Sequence, residues 1–191
     1  MAKPDKRTEI LKAALELFAE RGFHGAPTSL IARKAGVAAG TLFCYFENKD
    51  LLITELFRDI KDRAQFMITE GYIPEGPIRA RFFHLVTAAL QYFITHPLDC
   101  NYVEQFLNSP YGVEFRRGRI FGENEEHDVY RELFVDGVSQ QVLKDVPLIV
   151  LFALTFGPML TVARDHISGF VHLDEHLIEI TVTACWDSVK R

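Results

Sequence analysis

The sequence lacks the pairings and loops that identify a chain's chemistry most quickly. Its three cysteines, Cys44, Cys100 and Cys185, lie far apart and form no C-x-x-C. That spacing argues against a disulfide framework or a zinc ribbon and fits a reduced, cytoplasmic protein with free thiols. There is no G-x-S-x-G, no Walker A loop and no G-x-G-x-x-G. Nothing therefore marks a serine hydrolase, a triphosphate cradle or a dinucleotide fold. The opening MAKPDKRTE leads into a polar helix, so no signal peptide is expected. Long apolar runs are also scarce. One stretch, residues 146–163, carries no charge over 18 positions, the lower limit for a membrane span. It contains Pro147, Gly157 and Pro158 and is flanked closely by Lys144, Asp145, Arg164 and Asp165. It reads better as a helix buried within protein, as at a subunit interface, than as a membrane span.

What is present is an ordinary globular balance: 191 residues, 48% hydrophobic and 25% charged. Sixteen phenylalanines point to a large core or an aromatic-lined cavity. The net charge of −5 is unevenly spread. Residues 1–50 hold eight Lys/Arg against six Asp/Glu, net +2, which leaves −7 on the remainder. A mildly basic head on an acidic body fits a nucleic-acid contact confined to one end.

Apolar spacing predicts an all-α chain of about nine helices. Ile10, Ala14, Leu17 and Phe18 recur at i, i+4, i+7, i+8. Asp5 is placed to cap that first helix and Gly22 to stop it in a left-handed turn. Thr28 is expected to cap a short second helix and Gly36 to end it. A third runs over about 38–46, and Asn48 caps a long fourth. Residues 70–77, EGYIPEGP, read as a linker. Helices follow over about 78–95, up to about 108, and over about 126–143. The charged segment 116–128, with two glycines, is expected to be partly irregular. The uncharged run makes the next helix, and the last begins near Leu173. That last helix has two apolar stripes, Leu173/Leu177/Ile180/Ala184 and Ile178/Val182/Cys185/Val189. Two stripes need two partners, so the last two helices are expected to pack on their own body and on a second copy.

Two short helices joined at a glycine suggest a helix-turn-helix. That unit needs a small residue where the helices cross, a glycine in the turn and an apolar residue facing back inward. Ala32, Gly36 and Leu42 supply them as A-x3-G-x5-L, with Ile31, Ala35 and Val37 at other inward positions. The run from Ile10 to Phe57, with AALELFAERGF, IARKAGV and GTLFCYFENKDLL, resembles the TetR family of transcriptional regulators.

The resemblance implies an all-helical homodimer, with a DNA-binding head over residues 1–48 and a ligand-binding, dimerising body over 49–191. It implies no enzyme, cofactor or metal. The third helix would enter the major groove of a near-palindromic operator, and a largely apolar small molecule in the body would release it, making a repressor. Residue by residue, Thr28 would lie near a phosphate while capping helix two. Ala39, Gly40 and Thr41 would form the groove-facing tip, Cys44 would stand on the reading face, and Tyr45 would reach a phosphate or base. Lys49 would neutralise a phosphate. Leu42 and Phe46 would face inward, and Phe43 is left to packing. The family often has Tyr at 43, Ser and Lys at 38 and 39, and a base-reading side chain at 44, so this chain gives up some contacts.

In the body, Phe83, Phe93, Tyr102, Phe106, Phe134, Phe152 and Phe156 are the expected pocket aromatics, with Gln91, Asn101, Gln105 and Asn108 as orienting groups. Leu177, Ile178, Thr181, Val182 and Cys185 are the expected dimer contacts. One alternative rests on HLDEH at 172–176, which fits the H-x-x-E-H zinc pattern. His172, Glu175 and His176 would then serve an all-helical zinc enzyme. Another is a helical adaptor that keeps the head only as a fold element.

Overall fold

The computed structural model describes residues 5–121 and 128–191. Among these there are ten helices and no strand. They are α1 (Lys6–Gly25), α2 (Thr28–Lys34), α3 (Ala39–Tyr45), α4 (Lys49–Ile68), α5 (Ile78–Thr95), α6 (Pro97–Leu107), α7 (Pro110–Phe121), α8 (Val129–Ser139), α9 (Leu148–Ile167) and α10 (Glu175–Val189). The chain is all-α, as its apolar spacing predicts. Residues 122–127, part of the segment expected to be irregular, lie outside the described residues.

The local signals at the N-terminal end act as their chemistry requires. The Asp5 carboxylate accepts the Arg7 N–H at the start of α1. Gly22, at φ 71°, breaks α1 in the left-handed region that glycine occupies without penalty. The Asn48 side chain accepts the Leu51 N–H at 2.8 Å and starts α4. Thr28 is different. The cap position falls on Pro27, and no side chain caps α2. The tenth helix is α7. The apolar spacing ends a helix at about 108, yet a further one starts at Pro110, whose missing N–H costs nothing at the first position.

Two apolar cores result. The first joins α1–α3 to the first half of α4, from Leu52 to Ile60, and takes Tyr102, Val103 and Phe106 from α6. The second lies among α5, α8, α9 and α10. Helix α6 bridges them. Its Tyr102 is fully buried among Phe18, Phe23 and Phe106, and its hydroxyl donates to the Ile53 carbonyl at 2.6 Å. Gln105 reaches the Ala19 carbonyl at 3.4 Å. At the start of α6, buried Asp99 accepts from Arg63 of α4 at 3.1 Å and from the Tyr92 hydroxyl of α5. Near its end, Glu104 pairs with Arg164 of α9 at 2.7 Å.

Helix α9 is the only described helix long and apolar enough by composition to cross a membrane. Leu151, Phe152, Thr155, Met159 and Ala163 turn one face into the second core. The opposite side, with Val150, Gly157 and Thr161, is exposed, so α9 is not buried on all sides within one chain.

Candidate functional site

The head presents one helix face outward. At the α2–α3 turn, Ala32 is buried where the helices meet, and its carbonyl accepts the Val37 N–H at 3.0 Å. Gly36 lies between them at φ 66°. Leu42 and Phe46, four residues apart, are buried and fix the roll of α3. That roll leaves Ala39, Gly40, Phe43, Cys44 and Tyr45 exposed, and Thr41 half-buried. Arg33, at the end of α2, is exposed nearby in sequence, whereas Lys34 is held by Glu16 at 2.7 Å.

Phe43 is not core. It is 49% exposed and shares the outward surface with Tyr45 at 42%. The sequence held the signal: one residue past inward Leu42, a side chain is turned about 100° from the buried line.

Gly40 is helical, yet its φ is not positive, and a Cβ there would meet nothing within 4 Å. Nothing inside the chain requires glycine. A helical glycine costs roughly 0.5–1 kcal/mol against alanine, so its small side can admit a close approach from outside. Gly40→Ala is expected to stabilise the head by about that amount while weakening DNA binding. Thermal melting read beside a gel shift checks the two opposite signs.

Lys49 has a partner within the chain. Its ammonium donates to the Phe23 carbonyl at 2.5 Å, clips the broken end of α1, and lies over the Phe18 ring at 5.7 Å. Burial lowers its pKa. Two of its three N–H groups remain for other acceptors.

The thiols divide by burial. Cys44 is exposed, whereas Cys100 and Cys185 are buried. Burial pushes the Cys100 thiol up to about 12 and raises that of Cys185 as well. A thiolate reagent is therefore expected to label one cysteine in the native protein and three after unfolding. Labelling at Cys44 should block DNA binding, and Cys44→Ser should abolish the fast label.

A cavity of about 670 Å³ lies beneath the head, walled by α4, α5, α6, α7, the start of α8, and α9. Of the expected aromatics, Phe93, Phe152 and Phe156 line it. The other four do not. Tyr102 and Phe106 belong to the first core. Phe83 packs against Trp186 and beneath Arg79, and Phe134 stands behind Phe152 at 4.9 Å. Of the expected orienting groups, only Asn108 lines the wall. Phe57, Ile60 and Ala64 of α4 and Phe115 and Arg116 of α7 were missed. Helical periodicity gives each of them an inward face without saying which of several helices stands opposite.

The two stripes separate within α10, although Leu173, which precedes the helix, is buried in the second core. Ile178, Val182 and Cys185 are buried in the chain's own core, so they have no surface left to offer a partner. Leu177 and Thr181 are half-buried, and Ile180 and Ala184 are exposed. Their neighbour on α9 is marked by the Ser188 hydroxyl, which donates to the Leu154 carbonyl at 3.4 Å.

The zinc pattern does not assemble. Helix α10 starts only at Glu175, with the Asp174 side chain accepting the Leu177 N–H as its cap. His172 therefore precedes the helix, and no helical face is shared with His176. Among the described residues no three His, Cys, Asp or Glu are placed to hold a metal ion.

Comparison with known proteins agrees with this geometry. The family model for bacterial regulatory proteins of the tetR family matches residues 10–56. A second, for the tetracyclin repressor-like C-terminal domain, matches residues 77–190, more than half of the chain. The fatty acid metabolism regulator protein of Bacillus subtilis (strain 168) is 44% identical over 57 residues, 30% of this chain and 29% of that one. That match therefore spans well under a third of the relative's length. The HTH-type transcriptional regulator YdgC of the same organism, itself uncharacterized, is 26% identical over 168 residues, 84% of this chain and 85% of that one. A solved structure of a candidate tetR-family transcription regulator from Shewanella sp. PV-4 superposes with a TM-score of 0.84. It is 26% identical and covers 98% of this chain and 100% of that one. With a helix-turn-helix inside the first matched segment and the second family model over most of the remaining chain, this chain belongs to the TetR family of transcriptional regulators.

Proposed function

We propose that the protein is a cytoplasmic repressor that binds a near-palindromic operator as a homodimer and leaves it when a small molecule fills the body. The outward face of α3 carries this reading. A short helix locked from behind by Leu42 and Phe46 exposes a glycine without internal need beside two aromatics and a thiol. In this reading Ala39, Gly40 and Thr41 form the tip in the major groove and Cys44 lies against base edges. Tyr45 and Thr28 reach phosphates, as does Lys49 with the N–H groups not spent on Phe23. Residues 1–48 are the reading head, and 49–191 bind effector and partner.

Release follows from the cavity wall. Three residues separate α3 from α4, which supplies Phe57, Ile60 and Ala64 to the cavity. A ligand that favours one position of α4 favours one spacing of the two heads. It must bind the spread dimer better than the operator-competent one, or no equilibrium moves. The homodimer is proposed through the exposed sides of α9 and α10, with Leu177, Thr181 and Ala184 at its centre.

The test is a gel shift with DNA from upstream of the coding region, repeated over a range of salt. Binding with a steep salt dependence is expected. Absence of any salt-sensitive shift across that region and across random duplexes would reject the reading in favour of an adaptor that keeps only the fold.

A further inference from the structure

The cavity has a shape and a charge pattern that narrow what it takes. Its wall runs from Phe57 to Thr69 along α4 and from Ile149 to Thr161 along α9. Each span is thirteen residues, twelve steps, or roughly 18 Å at the helical rise. The cavity holds about 670 Å³ alongside both helices. That length suits one extended aliphatic chain. Ile60, Ala64, Phe93, Phe152, Phe156 and Leu160 make its sides apolar.

Four charged side chains also line it: Lys61, Glu104, Arg116 and Asp128. Glu104 is neutralised by Arg164 at 2.7 Å. Asp128 is engaged at the start of α8, where it accepts the N–H groups of Tyr130 and Arg131. Arg116 differs. The residue is half-buried, and its guanidinium is anchored by one donation to the Leu107 carbonyl at 2.6 Å. No carboxylate among the described residues pairs with it. The neighbouring Phe115 packs edge-on against Phe57 at 4.8 Å, so Arg116 stands at the end of the slot nearest the head.

We infer that the slot binds a linear aliphatic chain bearing an anionic head, with Arg116 holding the anion and the tail lying between α4 and α9. This deepens the effector reading above and rests on the same cavity. The anchor also has a route to the head. Arg116 lies on α7, and the Tyr111 hydroxyl of that helix donates to Asp50 in the first turn of α4. An anion drawn onto Arg116 pulls on a helix already tied to the start of α4. A free carboxylate and an acyl thioester of a larger phosphorylated carrier share this chemistry.

The test uses the full chain without DNA, by calorimetric titration. The probes are dodecanoate, dodecanol, dodecyltrimethylammonium and dodecanoyl-coenzyme A, on wild type, Arg116→Gln, Arg116→Lys and Lys61→Gln. Wild type is expected to bind dodecanoate about tenfold or more tighter than dodecanol, and tighter than the ammonium. Arg116→Gln should bring acid and alcohol to within about threefold by removing that charge-assisted bond. Arg116→Lys should keep part of the preference, since the charge stays and the fork is lost. The tighter of dodecanoate and its coenzyme A ester identifies the source of the anion. Equal binding of acid and alcohol by wild type overturns the proposal. So does a preference removed by Lys61→Gln but not by Arg116→Gln. Anion-selective binding that leaves the gel shift unchanged would instead reject the effector role and leave the ligand class standing.

Discussion

Ala184→Arg is expected to cost this protein its operator. Helix α10 turns Ile178, Val182, Cys185, Trp186 and Val189 inward, so residue 184 can be enlarged without touching the chain's own core. Ala184 stands on the exposed side with Ile180, next to Leu177 and Thr181. In a two-fold interface the same patch meets itself, so each new guanidinium would face apolar surface and its own copy. Removing that charge from water without a partner is unfavourable. Loss of the dimer turns the second half-site contact from an intramolecular event into a bimolecular one. Operator affinity should fall between about a hundredfold and ten-thousandfold. Sedimentation should show a monomer, melting a folded chain, and a gel shift the lost affinity. A variant that stays dimeric and binds normally would place the interface elsewhere.

The second large effect concerns Tyr102. This side chain belongs to α6 by sequence and to the first core by position, fully buried against Phe18, Phe23 and Phe106. Tyr102→Ala should destabilise the protein by about 3–5 kcal/mol, through lost burial and the cavity left behind. Tyr102→Phe keeps the packing and removes only the donation to the Ile53 carbonyl, which should cost about 1 kcal/mol. Denaturant titration followed by helix content separates the two. The same burial pushes the Tyr102 phenol well above its usual range. A neutral phenol with a raised folded pKa contributes stability that is complete below about pH 10. That contribution is lost as pH rises further, and Tyr102→Phe should flatten the loss. If Tyr102→Ala unfolds no more readily than wild type, α6 is not a wall of the first core.

The head was legible because each of its signals is local. Asp5, Gly22, Gly36 and Asn48 act on backbone groups within a few residues, and Leu42 with Phe46 sets the roll of α3 by spacing alone. Local signals also misled. Thr28 is a good cap residue, but Pro27 took the position. Lys49 was expected to neutralise a phosphate, and the fold also brings the Phe23 carbonyl to it across 26 positions. The body was legible as helices and not as a site. The spacing that marks Tyr102 and Phe106 as inward is the same spacing that marks Phe93 and Phe152. Only the packing of α6 between two cores sends the first pair to the head and leaves the second pair at the cavity. The stripes of α10 show the same limit: both are apolar, and α9 decided which one turned inward.

The bridging place of α6 bears on how such proteins can be recombined. A cut after residue 48 would remove Leu52, Ile53, Leu56, Phe57 and Ile60 from the first core, and Tyr102, Val103 and Phe106 with them. The excised fragment would keep its three helices and lose the rear wall that α3 is braced against. A chimera that grafts a foreign reading head onto this body inherits that wall unchanged. Exchange at the helix-turn-helix boundary therefore swaps half a core, and workable grafts must carry complementary residues on α6 or redesign Tyr102 and Phe106 to fit the incoming α1.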